Sequence, residues 1–447
     1  MSLSTLPELV AFDSAADGVR IPPDLTVPLT PRVRALLDTE EVRRLARISQ
    51  LGLVALVYPG ATHSRLEHSL GVYRLAVCFL QRLHRDERFA AAVGLDDAAA
   101  FLAAALLHDV GHWAYCHPLE DMGLEILPRH ETLVHGVLTG GRLAGILEAE
   151  WGVSADRVHA LIGGTAADPA GRILHSLLSG PIDVDKMDYL ARDSLHAGVP
   201  YGRHFDQERL LSSLCLDATG TGLAIGEKGR TAAELMVFAR YVMFSEVYWH
   251  HAVRAATAML QRAVWAVRDR IDLRGLVRSD DRSFADWLLS ATAGTPAAEL
   301  AAGLFGPTRR LFKRVATFDA LHQPELHRAC AGRRSAESIG IADRLAAALS
   351  RRLGRPIDPA HVLIDAPPAE REVEFRLQVL ERPSRRNADQ RPTWRPLEEL
   401  SPVVRSLARE QFDDLVKRVR IFAHPDVAAA VAACPNLEAL LLDAAQG

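Results

Sequence analysis

Cysteine is scarce and scattered. The five thiols, Cys78, Cys116, Cys215, Cys330 and Cys434, show no CxxC spacing, which argues against a disulfide framework and against a thiolate zinc site. Reduced, mostly buried thiols are expected. An excess of positive charge is also missing. The chain has 52 Lys+Arg against 56 Asp+Glu, a formal net charge of -4, so no globally basic surface for nucleic acid is expected. No run of about 18 uncharged apolar residues occurs, and the start, MSLSTLPELVAFDSAADG, lacks the basic region and apolar stretch of a secretory leader. The expectation is therefore a cytoplasmic protein with no membrane partner. The 447 residues, 49% of them hydrophobic, suffice for a large core divided among two or three lobes.

The pattern along the chain is mainly helical. Residues 1–30, with Pro22, Pro23 and Pro28, read as an extended lead. Residues 31–271 carry long apolar helical stretches such as LDDAAAFLAAALL, interrupted by turn-rich segments at VYPGATH, GGTAADPAG and TGTGLAIGEKGR. Residues 272–355 continue as shorter helices. From 356 to 447 the texture changes: HVLID, EVEFRLQVL and KRVRIFA suggest strands, giving a small α+β lobe. RPSRRNADQRPTWRP, between two of them, reads as a polar loop.

The chemistry concentrates in three segments. In LLHDVGHWAYCH, residues 106–117, an apolar helix ends at His108-Asp109, breaks at Gly111 and resumes with His112 and His117. Neighbouring helical residues point about 100° apart, so both can reach one ion only off the helix end or across a groove. Other ligands must come from elsewhere, and His68 in HSRLEHSLG and Asp185 in IDVDKMDYLARDS are the candidates. Two imidazoles and two carboxylates suit Fe, Mn, Zn, Ni or Co better than calcium. A single histidine is more often a structural hydrogen-bonding group than a ligand; here the joint pattern carries the reading. Asp185, Lys186, Tyr189, Arg192 and Asp193 share one broad helix face, with Met187, Leu190 and Ala191 behind.

In this order, the three segments resemble the HD-domain phosphohydrolases, and more narrowly the deoxynucleoside triphosphate (dNTP) triphosphohydrolases. The likeness runs from about Val33 to His251. It implies a helical HD core at 31–271 with the small C-terminal lobe appended, and one divalent transition metal held by His68, His108, Asp109 and Asp185. It also implies that His112, His117 and His130, with Glu120 or its neighbour Asp121 as orienting acid, serve proton transfer to the departing 5′-oxygen. Arg65, Lys186 and Arg240 match phosphate-binding positions, and magnesium would accompany the triphosphate. Gln50, Leu51, Tyr189, Asp193 and Tyr248 match positions that enclose the deoxyribose; Tyr248 lies eight residues after Arg240, on the same helical face. Within HSRLEHSLG this leaves Glu67 and His63 without a role.

Two departures stand out. The lead VRIPPDLTVPLTPR lacks the DxxHG-like approach of relatives, and Arg43 and Ala46 replace polar guanine-reading side chains, so nucleotide activation is not assumed. The motif-bearing core starts within about 35 residues of Met1, and no SAM domain is expected ahead of it. The implied activity is cleavage of a dNTP to deoxynucleoside and triphosphate by a homo-oligomer. Two other functions compete. One is an HD phosphohydrolase for monophosphates, cyclic nucleotides or alarmones; the other is a nucleotide- or nucleic-acid-binding regulator. For the latter, the Arg-rich loop 382–395 is the one suitable polyanion-binding feature.

Overall fold

A computed structural model describes residues 3–14, 18–367, 377–381, 392–407 and 416–447. The fold is mainly α. At its centre lie three helices: α1 (Arg65–Leu83), α2 (Leu95–Leu107) and α3 (Val184–Ala197). Ser64 caps α1, its hydroxyl accepting the Glu67 amide. This satisfies one of the free amides of the first turn, the turn that carries Arg65 and His68. Every residue of α2 from Ala98 to Leu107 is buried. Its alanines keep the helix slim, so neighbouring helices close around it on all sides. Asp183 caps α3 and accepts the Lys186 amide, and Gly198 ends the helix with φ +71°.

The packing of α1 on α3 depends on Gly71. A Cβ there would collide with Asp188 Oδ1 and Arg192 Nη2, so glycine at 71 is what lets this ion pair sit against α1. Gly71→Ala is expected to destabilise the fold by about 1–3 kcal/mol, the usual cost of overpacking. Denaturant unfolding checks this, and an unchanged midpoint would contradict it.

The described residues also form three sheets: a hairpin of β1 (Gly18–Ile21) with β2 (Leu25–Pro28), a four-stranded sheet and a three-stranded sheet. The four-stranded sheet has the order β3 (Leu214–Leu216), β4 (Leu223–Gly226), β7 (Gln378–Glu381), β8 (Thr393–Pro396), with β4 and β7 parallel. The three-stranded antiparallel sheet places β9 (Val419–Ala423) between β5 (Lys313–Phe318) and β6 (Val362–Asp365). Among the described residues no single helix is long and apolar enough to cross a membrane, and the five cysteines are free thiols.

The sequence-based boundaries need four corrections. The N-terminal lead is a helix, Pro7–Ser14, followed by the β1–β2 hairpin. The helix is anchored where buried Glu8 accepts from Thr30 and Arg32. The turn-rich TGTGLAIGEKGR holds strand β4, because Leu216↔Leu223 pairing turns it into a hairpin. The 272–355 helical stretch contains β5, which pairs with β9 some hundred residues later, so the C-terminal sheet begins before 356. Conversely β7 and β8 leave that lobe to extend the β3–β4 sheet, and β8 takes up the end of the segment read as a polar loop. Residues 382–391 of that loop, and most of EVEFRLQVL, lie outside the described residues.

Candidate active site

His108 caps the C-terminal end of α2, so Asp109 already lies beyond the helix and the two side chains approach one point off its end. His68, from the first turn of α1, and Asp185, from the first turn of α3, converge there. His68 Nε2 lies 3.0 Å from Asp185 Oδ1 and 3.3 Å from His108 Nε2, while His108 Nε2 is 3.4 Å from Asp109 Oδ1. The ligand atoms of His68, His108 and Asp185 all fall within 4.8 Å of one another.

The tautomers decide what this cluster can hold. His108 Nδ1 faces the Ala105 carbonyl at 2.9 Å, and His68 Nδ1 faces Asp188 Oδ2 at 2.9 Å. Both partners only accept, so both Nδ1 atoms carry hydrogen, and in the neutral imidazoles both Nε2 atoms present lone pairs to the cluster. Two lone pairs and a carboxylate oxygen at these separations call for a positive charge between them. Imidazoles on one tetrahedral ion, with bonds of about 2.0–2.1 Å, hold their ring centroids roughly 5 Å apart. Here the centroids are 5.2 Å apart, with the rings inclined at 78°. The residues present therefore fit a divalent transition metal.

Asp109 stands differently from the expected fourth ligand. Its Oδ2 accepts from Arg65 Nη1 at 2.9 Å, while its Oδ1 lies between His108 and His112 Nδ1, 3.1 Å from the latter. Burial works against its charge, but His112, His108 and Arg65 outweigh burial and hold it well below the usual carboxylate range. Asp109 thus borders the metal cluster on one side and the histidine chain on the other.

That chain runs outward. His112 Nε2 is 3.2 Å from His117 Nε2, and the His112 and His130 rings lie 3.9 Å apart. Burial first, then Arg65, push the His112 imidazole well below its ordinary value, against the pull of Asp109. Glu120 reaches both outer histidines, 3.0 Å from His130 Nδ1 and 3.5 Å from His117 Nδ1, and also accepts the His130 amide. Burial would raise its pKa, but the two histidines hold it far below the ordinary range. Glu120 is therefore the acid that meets the histidines. Asp121 bears electrostatically on Arg254. Tyr115, with φ +55°, sets the left-handed turn from which His117 and Glu120 project.

His68 itself is lifted to about 10: burial opposes its charge, and the hydrogen bonds it donates to Asp185 and Asp188 prevail. In metal-stripped protein this fixes a sign. The folded state keeps the proton up to about 10, whereas the unfolded imidazole loses it near ~6.5. The contribution is fully present below the lower value and is lost as pH rises toward the upper one. The melting temperature of stripped protein should fall across this window, and stripped His68→Asn should lack that decline. A flat profile in the stripped wild-type chain would contradict it.

The expected phosphate cations are already paired. Besides Arg65 on Asp109, Lys186 Nζ sits 2.6 Å from Asp183 Oδ2 at the cap of its own helix. Arg240 lies 5.5 Å over the Phe244 ring and exerts its charge on Tyr189 and Tyr248. Tyr248 closes a wide π-type turn, Phe244–Tyr248, beyond the regular helix Arg230–Met243, so it does not continue the helical register of Arg240. Its hydroxyl donates to Asp193 Oδ2 at 2.6 Å, and Asp193 Oδ1 faces His63 Nε2 at 2.9 Å. The Tyr189 and Tyr248 rings are 6.5 Å apart. Gln50 donates its amide to the His63 carbonyl, and its Oε1 is buried without a hydrogen-bond partner among the described residues. Leu51 is half-buried against the main core.

Sequence reasoning gave no role to four residues of the site. Asp188 orients His68, Arg192 grips Asp188, Glu67 joins Arg192 to His196, and His63 holds Asp193. Glu67 and His63 had been visible only as unexplained polarity. A second His/Glu group, Glu299, His361 and His424, also gathers its ligand atoms within 4.8 Å. Its two imidazoles stack at 16°, however. Lone pairs lie in the ring planes, so nearly parallel rings cannot aim at one ion.

The family described as the HD associated region matches residues 205–444. The chain belongs to the HD-domain phosphohydrolases. HD domains bind divalent metals, in keeping with the His/Asp cluster. This HD phosphohydrolase is 33% identical over 257 residues to an uncharacterized protein of Methanocaldococcus jannaschii, covering 57% of this chain and 51% of that one. It is 36% identical over 231 residues to an uncharacterized protein of Bacillus subtilis, covering 51% and 50%. It is 28% identical over 270 residues to the deoxynucleoside triphosphate triphosphohydrolase SAMHD1 of Gallus gallus, covering 53% and 43%. The chain spans about half the length of the curated relatives it matches. Among solved structures, a hypothetical protein from Aquifex aeolicus shares the fold with TM-score 0.68 at 24% identity, covering 93% of this chain and 98% of that one. A phosphohydrolase from Bacteroides thetaiotaomicron does so with TM-score 0.65 at 21% identity, covering 91% and 99%.

Proposed function

We propose that this HD phosphohydrolase cleaves dNTPs to deoxynucleoside and intact triphosphate. The observation that carries the reading is Asp193, buried and held by Tyr248 and His63, about two helical turns beyond Asp185 on α3. A carboxylate and a phenol paired there suit a sugar 3′-hydroxyl, and the Tyr189 and Tyr248 rings supply a wall against C2′. A ribose hydroxyl buried at that wall without a partner would cost about 1–3 kcal/mol, roughly ten- to hundredfold in selectivity. The name of the SAMHD1 relatives supports the same substrate class.

His68, His108 and Asp185, with Asp109 beside them, would hold the metal, which when bound polarises phosphate and lowers the pKa of water. The remaining work falls to side chains. Asp109 keeps His112 oriented through Nδ1. His117, whose side chain is 57% exposed and faces Glu120 through Nδ1, stands where a proton can pass from solvent to the departing 5′-oxygen. Arg65 and Lys186 must exchange their carboxylates for phosphate oxygens, and Arg240 adds a third cation.

One observation favours a second reading, hydrolysis of a nucleotide with fewer phosphates: both Arg65 and Lys186 are neutralised by carboxylates. Incubating metal-loaded protein with each dNTP and NTP, alone and in pairs, separates the two. Inorganic triphosphate from dNTPs is the expected product; orthophosphate or pyrophosphate would overturn the proposal. We also expect a homo-oligomer, which light scattering at micromolar concentration checks; a fully active monomer would contradict it.

A further inference from the structure

The expected metal ligand His68 is backed by a buried chain of charges that no proposed catalytic step uses. Asp188 Oδ2 receives His68 Nδ1 at 2.9 Å. Arg192 grips both oxygens of the same carboxylate, Nε on Oδ2 and Nη2 on Oδ1, each at 2.8 Å. Arg192 Nη1 continues to Glu67 Oε1 at 2.6 Å, and Glu67 Oε1 also faces His196 Nε2 at 2.8 Å. The Asp188 and Arg192 side chains are 5% and 2% exposed. A buried ion pair gives little net stability compared with apolar packing of the same volume, because both charges lose their hydration. Gly71 must also stay without a side chain to admit this pair. Packing α1 on α3 would be simpler with apolar residues, so the charges point to a task at His68.

We propose that Asp188, locked by Arg192 and Glu67, is a positioning residue for the metal centre. It fixes the hydrogen of His68 on Nδ1 and holds the ring so that the Nε2 lone pair points at the cluster shared with His108 and Asp185. Three donor hydrogens meet the two oxygens of Asp188: His68 Nδ1–H and Arg192 Nε–H on Oδ2, and Arg192 Nη2–H on Oδ1. An asparagine with its one acceptor oxygen at the Oδ2 position still meets His68 and Arg192 Nε, but it turns an NH₂ group against Arg192 Nη2, which breaks the fork, and it removes the negative charge behind His68. Partners of this kind, one shell outside a metal, set ligand orientation and basicity. The proposal rests on the metal-centre reading and is independent of which nucleotide is cleaved.

The test is titration of the metal-stripped full chain with Co²⁺, followed by calorimetry and by the visible absorption of the bound ion, below the melting temperature of each variant. Asp188→Asn is expected to bind Co²⁺ about 10–100-fold more weakly, with an altered absorption band. Arg192→Lys, which keeps the charge and loses the fork, and Glu67→Gln should weaken binding less, in the same direction. Leu190→Ala, a buried apolar truncation on the same helix, should lower the melting temperature and leave affinity and spectrum unchanged. Wild-type affinity and spectrum in Asp188→Asn, or in Arg192→Lys should Asp188→Asn not fold, would overturn the proposal and leave the pair a strut between helices. A wild-type chain that takes up no Co²⁺ would overturn both the proposal and the metal centre beneath it.

Discussion

His108→Ala is expected to reduce turnover at least about a thousandfold, because the ligand set supplies several kcal/mol of transition-state stabilisation and each 1.4 kcal/mol is a factor of ten. Its effect on stability should be small. The His108 side chain is 12% exposed, and its other nitrogen meets only a backbone carbonyl. Asp109→Ala should cost the same turnover and, unlike His108→Ala, much of the stability. It strands the Arg65 guanidinium, 6% exposed, without its carboxylate, and breaking a buried pair from one side typically costs about 3–5 kcal/mol. Steady-state rates and denaturant unfolding on the two variants read these effects separately. Residual activity near wild type in either variant would remove the metal assignment, and equal stability losses would remove the Arg65–Asp109 argument.

Glu120→Gln is the second large effect expected, a fall in kcat of about 10²–10⁴-fold, the usual worth of general acid catalysis. Glu120 touches both His117 and His130, and those histidines keep it ionised far into acid. Glutamine leaves one acceptor oxygen and an NH₂ group where two oxygens met the imidazoles of His117 and His130, so their orientation is lost and the fall should appear in kcat with KM little changed. A kcat near wild type would mean that Glu120 only holds the His130 amide in place.

The cluster of His68, His108 and Asp185 was legible in the sequence because each sits at a helix terminus inside an ordered motif: His68 and Asp185 in first turns, His108 at a last turn. The chain that backs His68 was not legible. Asp188 acts across to α1 through a gap that exists only because residue 71 is glycine, and a one-helix face diagram has no place for that register. Arg65 and Lys186 showed the same limit from the other side. Their charge was plain, but the carboxylates that hold them, 44 and 3 positions away, were visible only in three dimensions. In the fold, β5 was lost within a helical stretch for a related reason. Its strand identity comes from pairing with β9, about a hundred residues later, and local propensity cannot report a partner so distant. Tyr248 left the register of Arg240 because the helix widens into a π-type turn at Phe244–Tyr248, and the regular 3.6-residue period does not anticipate that.

The central claim is that water attacks the α-phosphorus of a dNTP and the 5′-oxygen departs with the nucleoside. Hydrolysis in oxygen-18 water, with both products resolved by mass spectrometry, tests it most directly. The account predicts one labelled oxygen in an otherwise intact triphosphate and none in the deoxynucleoside. Label in the deoxynucleoside, or label in released orthophosphate or pyrophosphate, would contradict it.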